Sequence, residues 1–140
     1  MNTGELPEAV RRFVAEARVC RMATVDPSGK PHVVPLCPAF DGERTFYVDI
    51  GRSSANARNV AAKPAVDVVI DQYDEDWSLL RGVLLRCQAE VAGKEEQERA
   101  WELIRQKYPQ YKEIDWRPRL TLALCICTWT SWGVGEAPSE

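Results

Sequence analysis

Three strand-like runs between Val19 and Ile50 are joined by connections too short to carry the chain across a sheet, and this constrains the fold more than any other feature. Val19-Cys-Arg-Met-Ala-Thr-Val25 alternates as a strand. Asp26-Pro-Ser-Gly29 then supplies turn chemistry, with proline at the second position and glycine at the fourth. A parallel return needs a crossover of a dozen or more residues, so the next run comes back antiparallel. His32-Val-Val-Pro-Leu-Cys-Pro-Ala-Phe40 is that return strand. Pro35 and Pro38 cannot donate to a ladder, which makes it an edge or bulged strand with backbone groups left for a ligand. Asp41-Gly42 turns the chain into a third strand, Arg44 to Ile50, with Phe46, Val48 and Ile50 on one face and Tyr47 and Asp49 on the other.

The rest of the chain keeps strands and helices apart. Leu6, Val10, Phe13, Val14 and Ala17 make one face of a first helix, with Pro7 in its first turn. A short helix over Ser53–Ala62 precedes a fourth strand, Ala65–Asp71, and a long fifth, Val83–Val91. Lys94–Lys107 is a charged helix, Leu120–Trp129 the last strand, and Pro138-Ser-Glu140 a frayed tail. Without βαβ alternation, the order predicts one α+β domain: a small antiparallel barrel of about six strands with flanking helices.

Gly51-Arg-Ser-Ser-Ala-Asn-Ala-Arg-Asn-Val60 is the candidate site. A strand runs here into a glycine, two serines and a helix start, where free N–H groups and the positive dipole end can hold an anion. Arg52 and Arg58 flank the turn. Ser53 or Ser54 can cap the helix, and capping alone also accounts for the serines. Gln72-Tyr-Asp-Glu-Asp-Trp-Ser78 reads two ways: Tyr73 and Trp77 pack as lids on the sheet, or they wall a ring-shaped ligand.

Composition removes several function classes. With 18 basic against 21 acidic side chains, the formal charge of −3 gives no electrostatic footprint for nucleic acid or an anionic membrane. No apolar run approaches the roughly 18 residues of a membrane helix, and the N-terminus lacks a basic region followed by an apolar core, so a cytoplasmic protein is expected. Five cysteines, an odd number, read as reduced core residues, and Cys125-Ile-Cys127 with the single histidine, His32, makes a poor metal set. There is no GxGxxG, P-loop or nucleophile elbow.

Ala17-Arg-Val-Cys-Arg-Met-Ala-Thr-Val-Asp-Pro-Ser-Gly-Lys-Pro-His-Val-Val-Pro-Leu36 resembles the opening of the pyridoxamine 5′-phosphate oxidase-like split β-barrel family. So do Phe46-Tyr-Val-Asp49, the helix start from Ser54 to Val60, and Lys63-Pro-Ala-Val66. Ile70-Asp-Gln-Tyr-Asp-Glu-Asp-Trp77 with Lys107-Tyr-Pro-Gln-Tyr111 is similar to the subgroup of probable F420-dependent enzymes. The resemblance implies a homodimer with two flavin-type cofactors, FMN or F420, between the subunits, acting as an oxidoreductase on a small organic substrate. It implies that His32, Val33, Val34 and Pro35 line the ring, that Tyr47, Val48 and Asp49 meet the ribityl chain and phosphate, and that Ser54, Ala55, Asn56 and Arg58 clamp the phosphate. Many members carry Arg and Lys where Ala55 and Asn56 stand, and Arg52 and Arg58 are the available substitutes. Tyr73 and Trp77, with Arg117 or Trp132 reaching toward the partner subunit, are the substrate-pocket candidates. A non-catalytic flavin- or haem-binding protein of the same fold is the alternative.

Overall fold

Asp26 organises the first turn with a single carboxylate oxygen, which accepts from the backbone N–H groups of Ser28 and Lys30, both at 2.9 Å, and from the Ser28 hydroxyl at 2.7 Å. Gly29 takes a positive φ of 93° there, so β1 (Cys20–Val25) folds back on β2 (Pro31–Leu36). This computed structural model describes residues 1–135; the expected frayed tail at Pro138–Glu140 lies outside the described residues. The other elements are α1 (Glu8–Glu16), β3 (Ala39–Phe40), β4 (Thr45–Ile50), α2 (Ala55–Ala62), β5 (Ala65–Gln72), β6 (Arg81–Val91), α3 (Lys94–Lys107) and β7 (Leu120–Trp132). Pro7 stands one position before α1 rather than inside it, and its carbonyl accepts from the Arg11 N–H.

All seven described strands form one antiparallel sheet in the order β2-β1-β5-β6-β7-β4-β3. The run from His32 to Phe40, expected as one return strand, is two. β2 pairs with β1 on one edge and β3 pairs with β4 on the other. Only Cys37 and Pro38 separate them, and three Cα steps reach at most about 11 Å. The sheet therefore curls until its two edges nearly meet, which is a split barrel. Pro35 lies in an edge strand, as its missing N–H requires.

The curled inner face holds the core. Met22, Phe46, Val48, Val68, Leu85, Leu122, Leu124 and Ile126 are fully buried there, and Val10 and Val14 of α1 join them. Of the five cysteines, Cys20 and Cys87 fit the core reading. Cys37, Cys125 and Cys127 are exposed instead, because Cys125 and Cys127 alternate with the inward Ile126. No described helix is long and apolar enough to cross a membrane.

α3 lies over the outer face of β4 and β7, where Ala100 packs against Tyr47 and Ala123. Its C-terminal end grips the barrel's seam. The Lys107 ammonium donates to the carbonyls of Ala17 and Pro38, the latter at 3.1 Å, and the Tyr108 hydroxyl donates to Pro38 at 2.6 Å. Burial, aided by Arg18, pushes Lys107 down to about 8, whereas an unfolded lysine holds its proton to about 10.4. Between those values the unfolded chain binds more protons, so stability rises with pH. The Tm of wild type minus that of Lys107→Met is expected to grow from pH 7 to pH 9.5 in calorimetry. A gap that stays constant would show that this lysine keeps an ordinary proton affinity.

Candidate functional site

The site begins where β4 stops. After Ile50, the Ser54 N–H donates to the Gly51 carbonyl at 3.1 Å, and the Ser54 hydroxyl accepts from the Ala57 N–H at 3.2 Å. Ser54, not Ser53, is thus the cap of α2. The N–H groups of Ala55 and Asn56 have no intrahelical acceptor, which leaves donors for an anion at the positive end of the helix.

Cations gather around this turn. The Arg58 guanidinium folds back to donate to the Ser53 carbonyl at 2.7 Å. Arg52 is exposed. Arg119, just before β7, supplies a cation that the local sequence around α2 does not announce. Its backbone N–H donates to Asp49 Oδ1 at 2.9 Å and its Nε to Oδ2 at 3.3 Å, and its guanidinium lies 4.8 Å over the Trp116 ring. A Cβ placed on Gly51 would stand only 3.6 Å from Arg119 Nη1, so the guanidinium closes directly on the turn. Asp49 is only 9% exposed; burial raises its carboxyl above the ordinary value while Arg119 pulls it back. A cue to Arg119 lies in strand pairing, since Ile50↔Leu120 brings the residue before β7 beside the residue after β4.

On its other side α2 faces a groove of about 460 Å3 beside the β1–β2 turn, into which Lys30, His32, Ala55, Arg58 and Asn59 all reach. Asn56 turns away from solvent. The Thr24 hydroxyl donates to its Oδ1 at 3.5 Å and accepts from Asn59 Nδ2 at 3.0 Å, which ties α2 to β1. Together these features place hydroxyl, N–H and guanidinium donors around one helix start, the donor types that an anionic group accepts from.

The remaining expected site residues divide. His32 and Arg58 share the groove; Asp49, Arg52, Ser53 and Ser54 surround the α2 turn. Val48 is in the core, so only its backbone is available to a ligand. Tyr47 lies under α3, where its hydroxyl donates to Glu96 at 3.0 Å and burial pushes its phenol up to about 12. Val34 is half-buried, while Val33 and Pro35 are exposed on the opposite, outer face of β2. Tyr73 and Trp77 are not packed as lids. They stand 65% and 72% exposed, the indole N–H donating to the phenol at 3.3 Å, because Asp76 caps a one-turn 3-10 helix that carries the loop outward. With Trp132 they lie at the end of β5 far from α2, roughly 25 Å along the strand. Arg117 lines a separate groove with Trp101, Tyr111 and Trp116. Among the described residues no three His, Cys, Asp or Glu side chains cluster as metal ligands.

Comparison with known proteins identifies the family and the fold. The sequence profile described as pyridoxamine 5′-phosphate oxidase matches residues 6–130. The chain is 26% identical over 113 residues to haem oxygenase HutZ of Vibrio cholerae, covering 79% of this chain and 64% of that protein, so it spans less than two thirds of the relative's length. The solved structure of the conserved hypothetical protein Rv2991 from Mycobacterium tuberculosis is similar, with a TM-score of 0.78 and 25% identity over 91% of this chain and 84% of that one. A FAD-binding protein from Mesorhizobium loti shares the fold, with a TM-score of 0.70 and 19% identity over 91% and 93% of the two chains.

Proposed function

Because this chain belongs to the pyridoxamine 5′-phosphate oxidase family, we propose that it holds a phosphate-bearing flavin-type cofactor, FMN or F420, and is an oxidoreductase acting on a small organic substrate. The observation that carries the reading is the α2 turn, where the Ser54 cap, two N–H groups without an intrahelical acceptor and the Arg119 guanidinium meet, with Arg58 donating to the Ser53 carbonyl of the same turn. These groups fit a phosphoryl oxygen set. Arg58 and Arg119 stand in for the Arg and Lys that many members carry at the positions of Ala55 and Asn56.

When bound, such a ring supplies hydride transfer, and the protein's part is binding, orientation and exclusion of water. Ser54 and the cations fix the anionic end of the ligand. The backbone of β2 from His32 to Pro35 is the edge strand with N–H and C=O groups available to a ring, Pro35 excepted as a donor. No side chain is required to move a proton for a hydride to pass.

A homodimer belongs to this proposal. The outer face of β2, β1, β5, β6 and the C-terminal half of β7 is covered by no described helix, and one row across it reads Pro35, Arg21, Val69, Leu84 and Thr130. A partner seated there brings a second set of loop residues toward the first subunit's site. Light scattering at micromolar concentration is expected to give twice the chain mass; a monomer overturns the shared site.

A second reading is supported by the similarity to HutZ and by the groove position of His32, the chain's only histidine, whose imidazole can ligate iron. In that reading the protein binds haem in place of a flavin. The visible spectrum of the purified protein, followed by thermal-shift titration with FMN, F420 and haem, separates the two, because a ligand raises Tm only by binding the native state. A selective rise with FMN or F420 supports the oxidoreductase. A selective rise with haem, lost in His32→Ala, supports the second reading.

A further inference from the structure

The chain between α3 and β7 builds a second concavity that the cofactor-phosphate site does not use. It has a volume of about 560 Å3 and is walled by Trp101, Tyr111, Ile114, Trp116 and Arg117. Trp101 and Tyr111 meet edge to face at 5.1 Å, and Tyr111 and Trp116 lie 5.8 Å apart. Ile114 is 52% exposed at its rim. Trp116 Nε1 is buried with no hydrogen-bond partner, and Arg117 makes no hydrogen bond or ion pair among the described residues. A buried indole N–H without an acceptor is costly unless something supplies one.

Arg119 joins this groove to the α2 turn. One side of its guanidinium covers the Trp116 ring and its Nη1 reaches Gly51. A ligand whose phosphate rests at Ser54 therefore has an aromatic, cationic groove one guanidinium away.

We propose that this groove receives the part of the cofactor beyond the phosphate, a planar heteroaromatic base, so that the protein prefers a phosphodiester-linked flavin over a phosphate monoester. The inference rests on the flavin reading above. Trp101, Tyr111 and Trp116, each half-buried along the groove, offer the base stacking surface, and Arg117 faces the linking phosphates as an unpaired cation. Carboxylate recognition would use the arginine but leave three aromatic rings without a role.

The test compares dissociation constants for FAD, FMN and F420 by fluorescence titration of wild type, Trp116→Leu and Arg117→Ala, with circular dichroism as the folding control. Stacking and one charge contact are expected to make FAD bind wild type about tenfold tighter than FMN, and each variant to lose most of that advantage, while the FMN affinity of Arg117→Ala stays within about twofold. Arg117 is at the rim and keeps the test sound if the tryptophan variant folds poorly. Equal FAD and FMN affinities in wild type overturn the inference and leave the flavin reading standing. F420 binding tighter than FAD, and weakened by Arg117→Ala alone, overturns the base in favour of a carboxylate tail. Binding of none of the three at millimolar concentration overturns the flavin reading itself.

Discussion

Replacing Arg119 with alanine is expected to weaken FMN binding by about 10- to 100-fold, the worth of one charge-assisted hydrogen bond of roughly 1.5–3 kcal/mol. Two effects act in the same direction. The substitution removes the guanidinium that closes on the Gly51 turn, and it strips Asp49 of its cation while the Asp49 carboxylate remains 9% exposed beside the site. An unmasked carboxylate repels a phosphate. Asp49→Asn is the informative companion, because it frees the Arg119 fork while removing the competing charge, and it is expected to bind FMN at least as tightly as wild type. Fluorescence titration of both variants decides the matter. If Arg119→Ala binds like wild type, this cation plays no part in holding the phosphate, and Arg58 with the helix start must suffice.

Gly133→Ala is expected to cost about 2–4 kcal/mol of stability, or on the order of 10 °C in Tm for a chain of this length. Gly133 has φ +67°, where an L side chain costs roughly 1–2 kcal/mol, and a Cβ there would come within 2.2 Å of the Leu80 carbonyl oxygen. That oxygen belongs to backbone entering β6 and cannot rotate aside as a side chain would. Gly29→Ala serves as the internal control. It carries φ +93° but meets nothing within 4 Å, so it should show the conformational cost without the collision. If thermal unfolding finds the two variants equal, the approach of Leu80 is not close in solution.

What was legible in the sequence follows from how local its cause is. The β1–β2 turn, the cap at the start of α2, the amphipathic helices and the inward alternation of Phe46, Val48 and Ile50 are each set by neighbours within a few residues, and each is found as expected. The break of His32–Phe40 into β2 and β3 is not of that kind. Periodicity continues across Cys37 and Pro38, and the prolines announce an edge without saying that the chain leaves one edge for the other. The fold class survived the error because both pieces are still antiparallel edge strands.

At the site the same division holds. Ser54 and Arg58 are positioned by the helix they begin, and their neighbourhood could be read from spacing alone. Arg119 reaches Gly51 only through the pairing of β4 with β7, across about seventy residues of chain. Tyr73 and Trp77 illustrate the reverse case: aromatic residues in an acidic loop invite a packed reading, yet the Asp74 and Asp76 carboxylates bind the loop's own backbone N–H groups and lift both rings away from the sheet.

The two-residue link between β2 and β3 limits how far the barrel's two edges can part. Neither edge strand can move outward by more than the slack of Cys37 and Pro38, and Lys107 and Tyr108 hold the Pro38 carbonyl from the end of α3. The C-terminal end of α3 is thus tied to the seam through side chains rather than through any ladder of the sheet. The same helix contributes Trp101 to the aromatic groove and Glu96 to the Tyr47 hydroxyl. One helix therefore touches both the barrel's seam and the aromatic groove.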